Sequence, residues 1–230
     1  MAAQLVLQLP HIPAFGGEDF LVSASNETAA RLVASWPDWV NPICIIAGPP
    51  GSGKSHLVNV WRARSSAQAF SAAAIKDAIT ASLREPGPIA VENADDGALD
   101  EQAAFHLLNL ARERRFDVLI SGRKAPGDWQ ITLPDLRSRL RSAALVCIEE
   151  PDEALLRAVL VKLFADRQLA VGPDVIDYVM PRMERSMAAA EALVEALDKA
   201  ALAEGKSVTR PFAAKIMAAG QTRSLRETLA

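Results

Sequence analysis

Cysteine is scarce in this chain, with only Cys44 and Cys147 among 230 residues. That density excludes the small disulfide-stapled domains of secreted proteins. Both cysteines sit in apolar runs (Ile43-Cys44-Ile45-Ile46 and Leu145-Val146-Cys147-Ile148) and read as small hydrophobes in core strands, with one disulfide arithmetically open. Histidine is nearly as sparse. His11, His56 and His106 are scattered, and no Cys/His/Asp/Glu spacing suggests a zinc site. No apolar run approaches the roughly 20 residues of a membrane span, and the N-terminus lacks the basic and apolar regions of a signal peptide. The expectation is a cytoplasmic protein with no membrane association. A basic excess is missing too: the formal net charge is -3, which argues against direct, sequence-specific DNA binding. Fourteen Pro and twelve Gly are spread along the chain, so no segment reads as a disordered tract. No solenoid or propeller repeat is visible.

What is present is the composition of a folded soluble protein, 50% hydrophobic and 23% charged, long enough for one domain and a small appendage. Residues 1–19 form an extended N-terminal tail: Met1 to Leu9 alternates apolar and polar, Pro10 and Pro13 break regular structure, and Gly16-Gly17 makes a joint. Residues 20–150 read as α/β. A helical stripe covers residues 26–35 behind a capping candidate at Ser25, and a β-rich run follows at 43–47. A helix is expected from about residue 54 to 67, and another over 101–115. Further short apolar runs lie at 89–91, 118–120 and 145–148. Strands alternating with helices imply a five-stranded parallel sheet covered on both faces. After Pro151 the strands stop. Helical periodicity over 151–168, 173–182, 187–204 and about 211–219 makes residues 151–230 a small all-helical domain.

The strongest motif is Gly48-Pro49-Pro50-Gly51-Ser52-Gly53-Lys54-Ser55, a full G-x-x-x-x-G-K-[ST] match between an expected strand and an expected helix. Its chemistry needs each part. Glycines let the backbone curl so that successive N–H groups face phosphate oxygens. The new helix adds the positive end of its dipole. Lys54 supplies charge at the β- and γ-phosphates, and Ser55 offers a hydroxyl to Mg²⁺. Pro50, Gly51, Ser52, Gly53, Lys54, Ser55 and His56 are therefore the expected nucleotide-binding residues for ATP or ADP, with His56 packing on the same helix.

Such a loop needs an acid at a neighbouring strand end. Ile89-Ala90-Val91-Glu92-Asn93 offers Glu92 as a Mg²⁺ residue, one methylene longer than the usual Asp, while Asn93 stands where a base is wanted and cannot take a proton. Asp95 and Asp96 either compensate or cap the following helix. Ser121, at the next strand tip, is either a γ-phosphate sensor or part of a strand-ending turn. Arg137, Arg139 and Arg141 alternate just before the last strand. They read as a solvated basic helix end, or as a source of an arginine reaching another subunit's γ-phosphate. In the tail, Gln4, Leu5, Leu7, Leu9 and Pro10 form either an edge strand or a peptide for a partner's hydrophobic groove.

Together these features resemble the DnaA-like AAA+ family, and its Hda branch more closely than the initiators, over nearly the whole chain. The Phe20-Leu21-Val22 run with Asn26 resembles the family's base-pocket entry, which implies nucleotide contacts from Leu21 and Val22. Leu133-Pro134-Asp135-Leu136-Arg137-Ser138-Arg139-Leu140 looks like its arginine-finger segment and implies that Arg139 acts in trans. Arg182-Met183-Glu184-Arg185-Ser186-Met187 is similar to its lid. Gln4-Leu5-x-Leu7-x-Leu9-Pro10 looks like the Hda peptide for the DNA polymerase III sliding clamp (its β subunit), and the chain ends at Ala230 without the initiators' DNA-binding domain. The family's usual Asp is Arg123 here, and its second-sensor Arg is Ala188. The resemblance thus implies a negative regulator of replication initiation, holding ADP (or ATP) with Mg²⁺ and hydrolysing it poorly. It would bind the clamp and stimulate hydrolysis of DnaA-bound ATP. The rival reading is an autonomous AAA+ ATPase, a helicase-loader-like remodelling factor, and a scaffold without catalytic contribution is a third. Homo-oligomerisation is left open.

Overall fold

The computed structural model describes the backbone of residues 20–228 and the side chains of residues 20–219. Within that range the chain divides at Pro151 into two compact units. The tail residues Gln4, Leu5, Leu7, Leu9 and Pro10 lie outside the described residues.

In the first unit the elements follow as α1 (Glu27–Ala34), β1 (Ile43–Ala47), α2 (Lys54–Ser65), β2 (Gln68–Ser71), α3 (Ile75–Arg84), β3 (Ile89–Glu92), α4 (Glu101–Arg114), β4 (Val118–Gly122), α5 (Pro134–Arg141) and β5 (Ala144–Cys147). Every pairing is parallel and the strand order is β2-β3-β4-β1-β5, the five-stranded parallel sheet expected from the strand–helix alternation. β1 and β4 are buried along their whole length, which is why their sequences are unbroken apolar runs and not alternating ones. Ile43 and Ile45 join Ile75, Leu107, Leu108, Leu136 and Leu140 in one core beneath α3, α4 and α5. Strand alternation turns Cys44 and Ile46 to the opposite face. Both are fully buried there, and α1 and α2 pack on that side. Parallel strands point all their carboxyl ends the same way, so the loops after β1, β3 and β4 meet at one edge, where α/β sheets place ligands.

The second unit is all helical: α6 (Glu153–Asp166), α7 (Pro173–Val179), α8 (Met187–Glu204) and α9 (Arg210–Thr228). Leu160 and Phe164 of α6, Val175 and Val179 of α7, Val194 and Leu197 of α8 and Phe212 of α9 form its core. Side-chain caps start two of its helices, with Asp152 accepting from Leu155 N at 2.8 Å and Ser186 from Ala189 N at 3.1 Å. Among the described residues no helix is long and apolar enough to cross a membrane.

Several details differ from the sequence reading. β2 and α3 have no counterpart in it: β2 is a four-residue edge strand, half exposed, and carries little apolar signal. Cys147 is exposed on edge strand β5, not a core residue, because β5 has a neighbour on one side only. The two cysteines are both free. They do not face each other, Cys44 being paired with Ala144 and Cys147 with Ala47. The residue before α1 is Asn26, not Ser25. Its side chain accepts from Ser23 N at 2.9 Å and donates to the Leu21 carbonyl at 3.0 Å, locking the entry segment instead of capping the helix. α2 stops at Ser65, whose hydroxyl turns back to the Trp61 carbonyl at 2.7 Å. α7 gives way to a tight turn at Met180–Arg182, since Pro181 supplies no N–H to a continuing helix. The last helix runs to Thr228, through Gly220, beyond the 211–219 span that the sequence pattern predicts.

Candidate nucleotide-binding site

The loop between β1 and α2 has the shape its glycines make available. Gly51 at φ +69° and Gly53 at φ +98° occupy left-handed backbone that other residues enter at a cost. Gly48 has no room for a side chain: a Cβ there would lie 2.6 Å from the Ile148 carbonyl oxygen. Gly48 N donates to the Gly122 carbonyl at 3.2 Å, tying the loop's first residue to the end of β4. The first N–H groups of α2, from Lys54 onward, have no partner within the helix, as at any helix start.

Lys54 is buried, and its ammonium donates to the carbonyls of Gly48 and Pro49, both at 2.7 Å. Burial pushes its pKa below the ordinary lysine range; the Asp95 carboxylate opposes that and the Arg123 guanidinium adds to it. Ser52 is buried beside Gly48 and its hydroxyl has no hydrogen-bond partner. Ser55 is exposed at the first turn of α2, as is His56, whose ring lies 5.3 Å from that of Phe20. Pro50 is exposed at the loop's crest. Val22 is buried, Leu21 half-buried, and the Phe20 ring reaches Gly53, so the entry segment lies alongside the loop.

At the neighbouring strand ends, Glu92 is half-buried at the tip of β3. Asn93 follows in left-handed backbone at φ 56° with its side chain exposed. Ser121 is buried on β4; its hydroxyl accepts from Asn93 N at 3.4 Å and its carbonyl from Ala94 N at 2.9 Å. Arg123 is exposed just beyond.

Asp95 does not cap the following helix. Asp100 does, accepting from Ala103 N at 3.0 Å. Asp95 instead accepts from the N–H groups of Arg123 and Lys124 through one oxygen, at 2.8 and 2.9 Å. Asp96 accepts from Ala98 N at 2.9 Å, closing its own turn. The reason is distance along the chain: five residues separate Asp95 from α4, whereas it lies directly beside the end of β4, within reach of Gly122. The carboxylate's second oxygen is buried without a partner. A cleft of about 460 Å³ opens here, lined by Asp95, Asp96, Arg123, Lys124, Asp128 and Trp129 among others.

These residues fit a phosphate chain. Positive-φ glycines, an unpaired helix start, a buried ammonium and an orphaned serine hydroxyl converge on one loop. Glu92 and Ser55 border the same edge of the sheet. Among the described residues no cluster of three or more His, Cys, Asp or Glu could hold a metal by itself. The structure brings the loop, Phe20, His56, Glu92 and Ser121 to this edge. Arg139 lies elsewhere in the unit, half-buried on α5. Ala188 is exposed in the first turn of α8 in the second unit.

Residues 152–217 match the family model described as Hda, lid domain. A Haemophilus influenzae protein described as uncharacterized is 24% identical over 198 residues, covering 78% of this chain and 83% of that protein. Domain III of the Thermotoga maritima replication initiation protein DnaA superposes with a TM-score of 0.71 at 15% identity, covering 86% of this chain and 92% of that one. Replication initiator DnaA bound to AMPPCP and single-stranded DNA superposes with a TM-score of 0.64 at 19% identity, over 80% of this chain. The overlap spans 64% of that DnaA chain, a little under two thirds of its length. The RuvB Holliday junction branch migration motor of Thermotoga maritima follows with a TM-score of 0.62 at 15% identity, covering 76% of this chain and 61% of that one. At these identities the likeness establishes the fold.

Proposed function

We propose that this chain, whose residues 152–217 match the Hda lid model and whose fold is that of DnaA domain III, regulates replication initiation by inactivating DnaA. The observation that carries this reading is the Hda lid behind an AAA+ base whose phosphate loop is complete. Gly48 to Ser55 hold the phosphates of ADP, or ATP, with Lys54 giving up its two loop carbonyls for phosphate oxygens. Ser55 and Glu92 hold Mg²⁺. When bound, the nucleotide with its metal supplies fixed charge that orders the loop; Leu21, Val22 and His56 flank its base side. The chain's own hydrolysis is slow: the Asn93 amide cannot accept a proton, and Ala188 stands where the resemblance implies an arginine sensor. Ser121 serves as the strand-end sensor.

Gln4, Leu5, Leu7, Leu9 and Pro10 bind the polymerase sliding clamp, which concentrates the protein near newly copied DNA so that a weak contact with DnaA suffices. Arg139 then enters the nucleotide site of DnaA. Its side chain suits that task, since among the described residues it makes no hydrogen bond or ion pair within the chain.

The test is hydrolysis of ATP pre-bound to DnaA, with DNA-loaded clamp and this protein as wild type or Arg139→Ala. Wild type should accelerate hydrolysis, and Arg139→Ala should lose most of a gain of ~10³–10⁵, the range of trans-acting arginines. Equal stimulation by both moves the role to Arg137 or Arg141. Stimulation by neither, with ADP and clamp binding intact, overturns the reading. Replacing Gln4 and Leu5 together by Ala should abolish clamp pull-down and leave ADP binding unchanged.

A further inference from the structure

The helix that carries Arg139 is held at both ends by side chains from elsewhere in its unit. α5 begins with Leu133 as N-cap, which has no side-chain oxygen to offer, and Pro134, which has no N–H. Glu101, in the first turn of α4, supplies what is missing. One carboxylate oxygen accepts from Leu133 N at 2.6 Å and from the Thr132 hydroxyl at 3.0 Å. The Thr132 N–H is shared between both oxygens, at 2.9 and 3.1 Å. At the far end, Arg112 of α4 donates to the Ser142 hydroxyl at 3.3 Å, and the Asn41 amide donates to the Ser142 carbonyl at 2.7 Å.

Between these ends, Leu136 and Leu140 are buried in the core and fix the rotation of α5. Their packing limits movement along the helix axis less sharply, because contacts between apolar groups have no preferred direction. Directional hydrogen bonds do resist that movement. Glu101 is itself well seated: its neighbour Asp100 caps α4 and pairs with Lys76 at 2.8 Å. The Thr132 and Leu133 N–H groups hold the Glu101 carboxyl below the usual carboxylate range, so it stays charged at neutral pH.

We propose that Glu101 is a positioning residue for Arg139, setting the axial register of α5 through Thr132 and Leu133. The inference rests on the reading of Arg139 as the residue that acts in trans. An arginine that must meet a phosphate in another subunit tolerates little displacement, and a shift of about 1 Å can cost about 10²-fold in rate.

The experiment titrates the full-length protein into DnaA carrying pre-bound ATP, with DNA-loaded clamp, and separates the maximal rate from the half-saturating concentration. Glu101→Ala should lower the maximal rate about 10- to 100-fold, with the half-saturating concentration and the protein's own ADP binding unchanged. Glu101→Gln, which keeps one oxygen for Leu133 but turns an NH₂ toward Thr132, should fall about 3- to 10-fold. If Arg139→Ala is inactive while Glu101→Ala reaches the wild-type maximum, the positioning role is wrong and the function stands. If Arg139→Ala is as active as wild type, the inference falls and the trans-acting role passes to Arg137 or Arg141; if neither protein stimulates hydrolysis, the function falls with it. Should Glu101→Ala not melt cooperatively, Glu101→Gln decides alone, and a wild-type maximum from it overturns the proposal.

Discussion

The ammonium of Lys54 lies 2.7 Å from the carbonyl oxygen of Gly48, six residues back at the start of its own loop. With the Pro49 carbonyl as second acceptor, the loop stores its cation at the place where phosphate oxygens would compete for it. Lys54→Met should therefore weaken ADP binding, measured by titration calorimetry, by about 10- to 100-fold, the equivalent of losing about 1.5–3 kcal/mol of charge-assisted hydrogen bonding. The pH dependence has two opposite signs. Burial depresses the Lys54 pKa, so between that value and the unfolded value of 10.5 the unfolded chain binds the extra proton. Stability relative to Lys54→Met should thus rise with pH across that window, while ADP affinity falls across it. Thermal melts and binding isotherms of both proteins at rising pH check the pair of signs, and parallel trends would contradict this account.

Gly48 tests the shape of the loop independently of its charge. A methyl group there would sit 2.6 Å from the Ile148 carbonyl oxygen and 3.0 Å from the Ser52 hydroxyl. The first neighbour is backbone and cannot rotate away. Gly48→Ala should cost about 1–3 kcal/mol of stability, typical of overpacking, and should reduce ADP binding with Lys54 intact. Chemical denaturation and the same calorimetry would reveal a tolerated substitution, which would mean that the loop and the Ile148 segment can move apart.

Asp95 holds the turn behind the loop. Its carboxylate takes both the Arg123 and Lys124 N–H groups, and Gly122 just before them accepts from Gly48 N. Asp95→Ala should cost about 1–3 kcal/mol. It should also weaken ADP binding, because the strand end that fixes Gly48 loosens. Asp95→Asn retains an oxygen that can face both N–H groups and should recover most of the stability. Equal losses in the two variants would instead assign the effect to the carboxylate's charge near Lys54.

The phosphate loop was legible because its spacing is a chemical requirement written in consecutive residues, and the sheet because buried parallel strands are continuous apolar runs. α6 and α8 were legible for a similar reason: long amphipathic periodicity bounded by Pro151 and by Ser186. What escaped depended on contacts between segments remote in sequence. Asp95 reads locally as a helix cap, and only the adjacency of β3 and β4 reveals its partners 28 and 29 residues away. Glu101 reads as an ordinary first-turn acid, yet its partners are 31 and 32 residues on. β2 was missed because a short edge strand needs little hydrophobicity, and Cys147 was misjudged because an apolar run does not reveal whether its strand is central or at the edge.

That edge position makes the two thiols a test of the sheet order. Cys44 lies on central β1, fully buried, and its thiol is pushed up to about 12, chiefly by burial and then by the charge of Asp117. Cys147 is exposed on β5. Thiolate is the reactive form, so at pH 8 Cys44 is both inaccessible and protonated, whereas Cys147 is open to reagent from solvent. A colorimetric thiol reagent should titrate a single group in the native protein and both in denaturant. The Cys147→Ser variant should be silent until unfolded, and its exposed position predicts a change in stability of less than about 0.5 kcal/mol. Rapid native labelling of Cys44 would mean that β1 is not shielded by β4 and β5, and the placement of the phosphate loop at the centre of the sheet would have to be redrawn.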